Sequence, residues 1–345
     1  MAEQRVPVLV LVGGFLGAGK TTLILKAAQL LSARGLRVAA ILNDQDAGLV
    51  DTRFASAQSV EAEEVAGGCF CCRFTDLVDA AERLRAHNPD VIFAEPVGSC
   101  IDISATVVRP LKALHRDQLR VAPLTVLVDP RLAAEVLAGR AGEEIGYLFR
   151  NQLDEADILC AGKCDAGPAL EMDVDYRLSA RTGGGVEEWL EDVLSGRRVS
   201  GARRLTVDYG RYAEAEAALG WLNLHAGLQL RHALSPAMVA GPFLDELDAE
   251  LTAAGIRIAH LKVFDESAAG YVKASVCGNG VEPEPDGDLL ADADAAHELV
   301  INLRAEGEPA ALRSIVEAAL KHIPGAVTIR HIGAFRPAAP NPQHR

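Results

Sequence analysis

The segment Gly14-Phe15-Leu16-Gly17-Ala18-Gly19-Lys20-Thr21 constrains this chain more than any other. It lies between a continuous apolar run, Val8–Val12, and a stretch from Lys20 to Ala33 whose residues Leu23, Ala27, Leu30 and Leu31 recur at helical spacing. The glycines let the backbone bend until successive N–H groups point at one anion, and the helix start adds its dipole. Strand, turn and helix together form a phosphate-binding loop. The residues expected to line it are Gly14, Gly17, Ala18, Gly19, Lys20, Thr21 and Thr22. Lys20 is expected to reach the β- and γ-phosphates of a nucleoside triphosphate and act in its hydrolysis, and the Thr21 hydroxyl to bind Mg2+.

The same alternation continues. Val38–Leu42, Val91–Ala94, Thr125–Val128 and Ile158–Ala161 read as strands, separated by helical stretches such as Leu77–Ala86 and Gly185–Leu194. Continuous apolar strands alternating with helices predict an α/β domain of the P-loop NTPase kind, a mostly parallel sheet with helices on both faces. The basic, glycine-containing stretch Ser195–Arg204 has no apolar period and is read as a boundary. Beyond it strands outnumber helices: Trp221–Arg231, Arg257–Phe264, Tyr271–Cys277, Glu298–Leu303 and Ala326–Ile332 against Met238–Ala254 and Pro309–Lys321. That pattern predicts a smaller α+β C-terminal domain with helices on one face of an antiparallel sheet. The expected organisation is residues 1–198, residues 204–336, and a flexible proline-rich tail at 337–345. The acidic stretch Glu282–Glu298 reads as a solvated loop.

The net charge of −14 argues against a nucleic-acid partner, because a phosphate backbone needs a basic face. No apolar run fits a membrane span, and the short charged start Met1–Pro7 is no signal peptide. Seven cysteines, three of them crowded into Cys69-Phe70-Cys71-Cys72, do not form a secreted disulfide pattern. They suit free thiols in a reducing, cytoplasmic setting.

Two segments bear on the base of the nucleotide. Gly162-Lys163-Cys164-Asp165 follows a strand where GTPases carry asparagine, lysine, any residue, aspartate. The Asp165 carboxylate can accept from both guanine N–H donors, which adenine lacks. A polar loop after a buried strand explains Lys163 and Asp165 equally well. Ser179-Ala180, which resembles the turn backing guanine in many GTPases, tips the reading toward GTP. Glu95-Pro96-Val97-Gly98 ends a strand, where Glu95 can hold Mg2+ or its water and Gly98 can turn its amide to the γ-phosphate. Asn43-Asp44-Gln45-Asp46 ends another and can form a second nucleotide-sensing loop, although strand-to-helix caps favour the same residue types.

The phosphate loop with its second threonine, the motif Gly68-Cys69-Phe70-Cys71-Cys72 and the Glu95–Gly98 switch, in this order, resemble the CobW-like GTPases, relatives of the nickel-insertion GTPases of urease and hydrogenase maturation. The resemblance is strongest over residues 8–195. It implies GTP and Mg2+ as cofactors, with Mg2+ held by Thr21, Glu95 and, in place of the usual glutamate of the first switch, Asp44. It also implies zinc or cobalt as cargo. Gly162 stands where the family carries asparagine, so the expected preference for GTP over ATP is weaker. Asp44 is one methylene shorter than the residue it replaces.

Three thiols within four residues can converge on a soft or borderline metal, at about 2.3 Å for Zn–S. A closed structural zinc site has four protein ligands, so Cys69, Cys71 and Cys72 alone suit an exchangeable site. A structural zinc with a remote fourth ligand and a redox pair remain as alternatives. The functional expectation is a GTP-hydrolysing metallochaperone that delivers metal to a client metalloprotein or a corrinoid-pathway protein, with a homodimer as an option. Two other classes compete: a nucleotide-gated activator of a corrinoid or metal enzyme, and an ATP-dependent P-loop kinase.

Overall fold

A computed structural model describes residues 6–46, 50–166 and 170–345, so most of the charged start Met1–Pro7 falls outside the described residues. Contacts divide the chain into two compact units, neither continuous in sequence. The first comprises residues 1–45, 58–215 and 339–345, and the second residues 46–57 and 216–338.

In the first unit, strands β1 (Val8–Gly13), β2 (Val38–Asn43), β3 (Glu61–Val65), β4 (Val91–Glu95), β5 (Arg120–Val121), β6 (Thr125–Val128), β7 (Ile158–Ala161) and β8 (Tyr176–Arg177) form one sheet. Its order is β3-β2-β4-β1-β6-β7-β8, with β5 beside the start of β1. Every pairing is parallel. The order reverses direction at β1, which puts a crevice at the carboxyl ends of β1 and its neighbours, where ligands of open α/β sheets bind. Leu9, Val10, Leu11 and Val12 are wholly buried. Each contributes about 1.5–3 kcal/mol by leaving water, so the strand that delivers the phosphate loop is firmly seated.

The parallel α/β sheet expected from the sequence is present, and helices Lys20–Ala33 and Val186–Leu194 follow the apolar periods. Strand β3 was not anticipated. Its sequence, Glu-Ala-Glu-Glu-Val, carries no apolar run because it is an edge strand with one neighbour, β2. The boundary read at 198–204 lies within the first unit. Ser200 donates to the Ala122 carbonyl at 2.9 Å, and the amides of Gly201 and Ala202 donate to the Asp157 carboxylate at 2.7 and 2.9 Å. Residues 339–345, expected as part of a flexible tail, also belong to this unit.

In the second unit, β9 (Gly220–Leu234), β10 (Arg257–Ser267), β11 (Gly270–Val276), β12 (Glu284–Gly287), β13 (Asp294–Glu306) and β14 (Gly325–Phe335) form an antiparallel sheet in the order β12-β11-β10-β13-β9-β14. Helices Pro236–Ala253 and Pro309–Leu320 cover one face, packing Leu244, Leu247, Leu312 and Val316 against Leu224, Val263, Ile301 and Leu303. This is the smaller α+β domain read from the sequence. A third helix, Val50–Ala57, packs on the alternate strand positions. The Asn302 side chain accepts from the Val50 amide at 2.9 Å, Asp51 pairs with Lys262, and the Lys273 ammonium lies 4.0 Å from the centre of the Phe54 ring. The acidic stretch Glu282–Glu298 is not all loop, since β12 and the start of β13 lie within it. Acidic side chains leave the backbone free to pair at a sheet edge while discouraging further strands.

Candidate functional site

The phosphate loop leaves β1 through Gly14, whose φ of 129° no side chain favours. A Cβ there would also lie 2.2 Å from the Leu127 carbonyl oxygen. Gly17 and Gly19 take φ values of 75° and 91°, and Gly19 opens the helix Lys20–Ala33 with no side-chain cap. The first helical N–H groups therefore face the loop, where an anion can satisfy them. Lys20 and Thr21 are buried on this helix. The Lys20 ammonium sits 3.3 Å from the Phe15 carbonyl oxygen and 3.6 Å from Glu95 Oε1. Thr21 Oγ1 donates to Glu95 Oε2 at 2.8 Å. The structure thus brings together three sequence-predicted residues from two adjacent strand ends. Gly98 packs on the same loop: a Cβ there would stand 3.0 Å from the Leu16 amide nitrogen.

The base segment is assembled from two stretches. Leu178 N–H donates to the Ala161 carbonyl and Cys164 N–H to the Leu178 carbonyl, which sets Ser179-Ala180 beside Gly162–Asp165. Ser179 is buried and its hydroxyl accepts from the Thr182 amide at 3.1 Å. Lys163 Nζ lies 3.2 Å from the carboxylate of buried Asp129, and its stem passes over Gly19. Asp165 is exposed. A Cβ on Gly162 would meet the Ala18 carbonyl oxygen at 3.2 Å, so a side chain at this position would point at the phosphate loop.

The cysteine loop follows β3. Gly67 and Gly68, with φ of 83° and 148°, turn the chain into it. The amides of Cys72 and Arg73 both donate to the Cys69 carbonyl at 2.9 Å, a turn that leads into the helix Phe74–Arg85. The thiol separations are 2.7 Å for Cys69–Cys71, 3.4 Å for Cys69–Cys72 and 3.6 Å for Cys71–Cys72. Hydrogen bonding with the thiols of Cys100, Cys71 and Cys72 holds Cys69 well below the usual thiol range. Cys71 is pushed up because it donates to Cys69 and Cys72 and is buried. Cys72 is pushed up to about 11, chiefly by its hydrogen bond with Cys69. Cys69, Cys71 and Cys72 thus bring three sulfurs together, a set of soft donors suited to a thiophilic cation.

Asn43 is the residue that sequence reasoning named only as part of a switch loop. It is buried at the end of β2, where its amide donates to the carbonyls of Val65 (2.8 Å) and Gly68 (2.7 Å) and its oxygen accepts from Phe70 N–H (2.9 Å). One side chain thus fastens the cysteine loop to the β2 end. Its neighbour Asp44 turns back on its own loop: its Oδ1 accepts from the Gln45 amide at 2.6 Å, and its N–H donates to the Val65 carbonyl.

Residues 339–345 reach the same place. Asn341 N–H donates to Cys72 Sγ at 3.2 Å, and Gln343 N–H to the Cys71 carbonyl at 2.9 Å. Gln343 Oε1 accepts from the amide and hydroxyl of Thr75. No periodicity in Pro337–Arg345 signals these contacts. Asp129 was equally hidden, since a lone aspartate before a proline reads as a helix cap, which it also is. Among the described residues, no helix is long and apolar enough to cross a membrane.

The family model described as the CobW/HypB/UreG nucleotide-binding domain matches residues 8–181. A zinc chaperone CobW from Sinorhizobium sp is 29% identical over 196 residues, covering 47% of this chain and 52% of its own length. The zinc chaperone YeiR of Escherichia coli K12 is 33% identical over 165 residues, covering 45% and 46%. The chain thus spans about half the length of these curated relatives. The crystal structure of the hydrogenase maturation factor HypB from Archaeoglobus fulgidus aligns with 54% of this chain and 87% of that one, at 16% identity and a TM-score of 0.39. The family match covers just over half of the 345 residues and spans the phosphate loop, Glu95, the cysteine loop and the base segment alike: the chain belongs to the CobW/HypB/UreG family.

Proposed function

We propose that this chain is a GTP-hydrolysing metallochaperone. It takes up zinc or cobalt at Cys69, Cys71 and Cys72 and hands the metal to a client metalloprotein or a corrinoid-pathway protein. The observation that carries the reading is the Asn43 anchor, because it ties the thiol loop to the end of the strand that opens the Asn43–Asp46 segment. A movement of that segment on γ-phosphate binding is thereby a movement of the metal site. Zinc-chaperone relatives support the choice of zinc as cargo.

The residues at the phosphate loop suit the task. Thr21 and Glu95 offer the hard oxygen donors that Mg2+ takes, and the bound ion would neutralise charge between the β- and γ-phosphates. Glu95 pairs with Lys20 at 3.6 Å. Lys20 would turn to the phosphate oxygens of bound GTP, and Thr21 and Glu95 would hold Mg2+. Asp165 and Ser179-Ala180 hold the guanine, and Lys163, steadied by Asp129, covers the loop.

Titrating zinc into the protein held with a GTP analogue or with GDP tests the reading. The analogue state should bind zinc about 5- to 150-fold more tightly, and zinc should tighten the analogue by the same factor. Equal zinc affinity in the two states would reduce the cysteines to a structural site. Absence of stoichiometric binding under reducing conditions would favour an activator that carries no metal.

A further inference from the structure

Residues 339–345 read Ala-Pro-Asn-Pro-Gln-His-Arg, and they belong to the same compact unit as the cysteine loop. Proline fixes φ, carries no N–H and pushes the residue before it into an extended conformation. Pro340 and Pro342 therefore make a stiff, extended run that keeps amide donors at alternate positions, Asn341 and Gln343. Both donors go to the cysteine loop: Asn341 N–H to Cys72 Sγ at 3.2 Å and Gln343 N–H to the Cys71 carbonyl at 2.9 Å. Side chains add to the hold. Gln343 Oε1 accepts from the Thr75 amide at 2.9 Å and the Thr75 hydroxyl at 3.1 Å. The His344 ring meets Phe74 edge-on with centres 4.6 Å apart, and the Arg345 guanidinium lies 3.5 Å from the centre of the Tyr209 ring. A solvated proline-rich tail needs none of these partners. Of the thiols at this place, Cys69 and Cys71 are buried and Cys72 is partly exposed.

We propose that residues 339–345 are a strap across the cysteine loop, and that metal enters and leaves the three thiols when the strap lifts. The exchange role rests on the reading of the cysteine loop as a metal site. The Asn341 amide bonds to a candidate ligand sulfur, as the outer partners of metal ligands do, and so helps to fix that sulfur's orientation. Each contact is weak by itself. A neutral hydrogen bond shifts an opening equilibrium about 2- to 13-fold, and an exposed cation–π contact about 2- to 5-fold. Together they keep the strap closed for most of the time, yet it opens locally without unfolding the sheet. A site covered in this way retains its cargo through slow exchange and screens its thiols from reagents in solution.

Maleimide labelling of the reduced, metal-free, full-length chain, followed at each cysteine by mass spectrometry, tests the cover without any metal. Gln343→Pro removes the donor to Cys71 and the acceptor for Thr75, and Arg345→Ala removes the contact with Tyr209. Gln343 and Arg345 are exposed, so both variants should fold. Cys72 should label about 10-fold faster in Gln343→Pro and about 2- to 5-fold faster in Arg345→Ala. Cys160, buried on β7, should label as slowly as in the parent. In the zinc-loaded chain, uptake and release to a chelator should quicken by similar factors, leaving the equilibrium affinity near that of the parent. Labelling at the parent rate in both variants would overturn the strap. A parallel rise at Cys160 would do the same, because it would mark a loosening of the whole unit. Zinc uptake and release at parent rates in both variants would overturn the role in exchange. A parent that binds no zinc, combined with faster labelling of Cys72 in the variants, would uphold the cover and sink the metal reading.

Discussion

Glu95 touches both Lys20 and Thr21, so one carboxylate joins the two polar side chains at the start of the helix Lys20–Ala33. Replacing Lys20 by alanine removes the cation that meets charge on the transferring phosphoryl group. Hydrolysis should fall about 10²–10³-fold, while circular dichroism and the unfolding midpoint stay near those of the parent. Turnover equal to the parent would remove Lys20 from the mechanism. Asp165→Ala should erase the preference for GTP over ATP in competition binding, and a variant indifferent to the change would mean that the base is read elsewhere. At this scale the sequence was most legible where chemistry demands a fixed local spacing. Lys20 and Thr21 stand in one short segment, and Cys69, Cys71 and Cys72 in another. Asn43 and Asp129 were hidden because each makes its contacts with a partner distant in sequence. An asparagine after a strand and an aspartate before a proline each have a commoner, local explanation.

Among the elements, the cysteine loop depends on β2 more than on its own turn. Asn43→Ala deletes three hydrogen bonds and leaves the Val65 and Gly68 carbonyls and the Phe70 amide without that partner. Denaturant unfolding should register a loss of about 1–3 kcal/mol. Zinc affinity should fall, and the difference in zinc affinity between analogue and GDP states should shrink. Retention of the full difference would show that the switch reaches the thiols by another route. The central elements were readable because burial on both faces writes a continuous apolar run, as in Val8–Val12 and Thr125–Val128. Strand β3 and strand β12 were not, since edge strands keep polar side chains and signal only through their backbones. The helix Val50–Ala57 has the residues of an ordinary amphipathic segment. Nothing local in it reports that its partners are Asn302, Lys262 and Lys273.

For the molecule as a whole, the two units carry one tryptophan each, Trp189 in the first and Trp221 in the second. Both are buried, so each can report the unfolding of its own unit. The first unit also buries Glu155, whose carboxyl is pushed from its ordinary value of 4.5 up to about 8 by burial, although the Ser104 amide donates to it. The folded form therefore keeps a proton that the unfolded chain releases above about pH 4.5. That contribution to stability is whole below pH 4.5 and is lost as pH rises toward about 8. Unfolding followed through Trp189 should weaken over this window, and Glu155→Gln should flatten the dependence. A slope unchanged in the variant would assign the titration to other groups. Overall class was legible because the phosphate loop and the strand–helix alternation agree. The interruption of each unit by the other was not, since periodicity describes neighbours along the chain. That interruption has a consequence for biosynthesis. The ribosome releases residues 46–57 long before the sheet they join, and residues 339–345 only after that sheet is made. The cysteine loop, which receives hydrogen bonds from Asn341 and Gln343, therefore emerges early and is finished late. Throughout elongation its thiols stand without their final cover, so a nascent chain meets oxidants and metal ions before its own sequence can screen them.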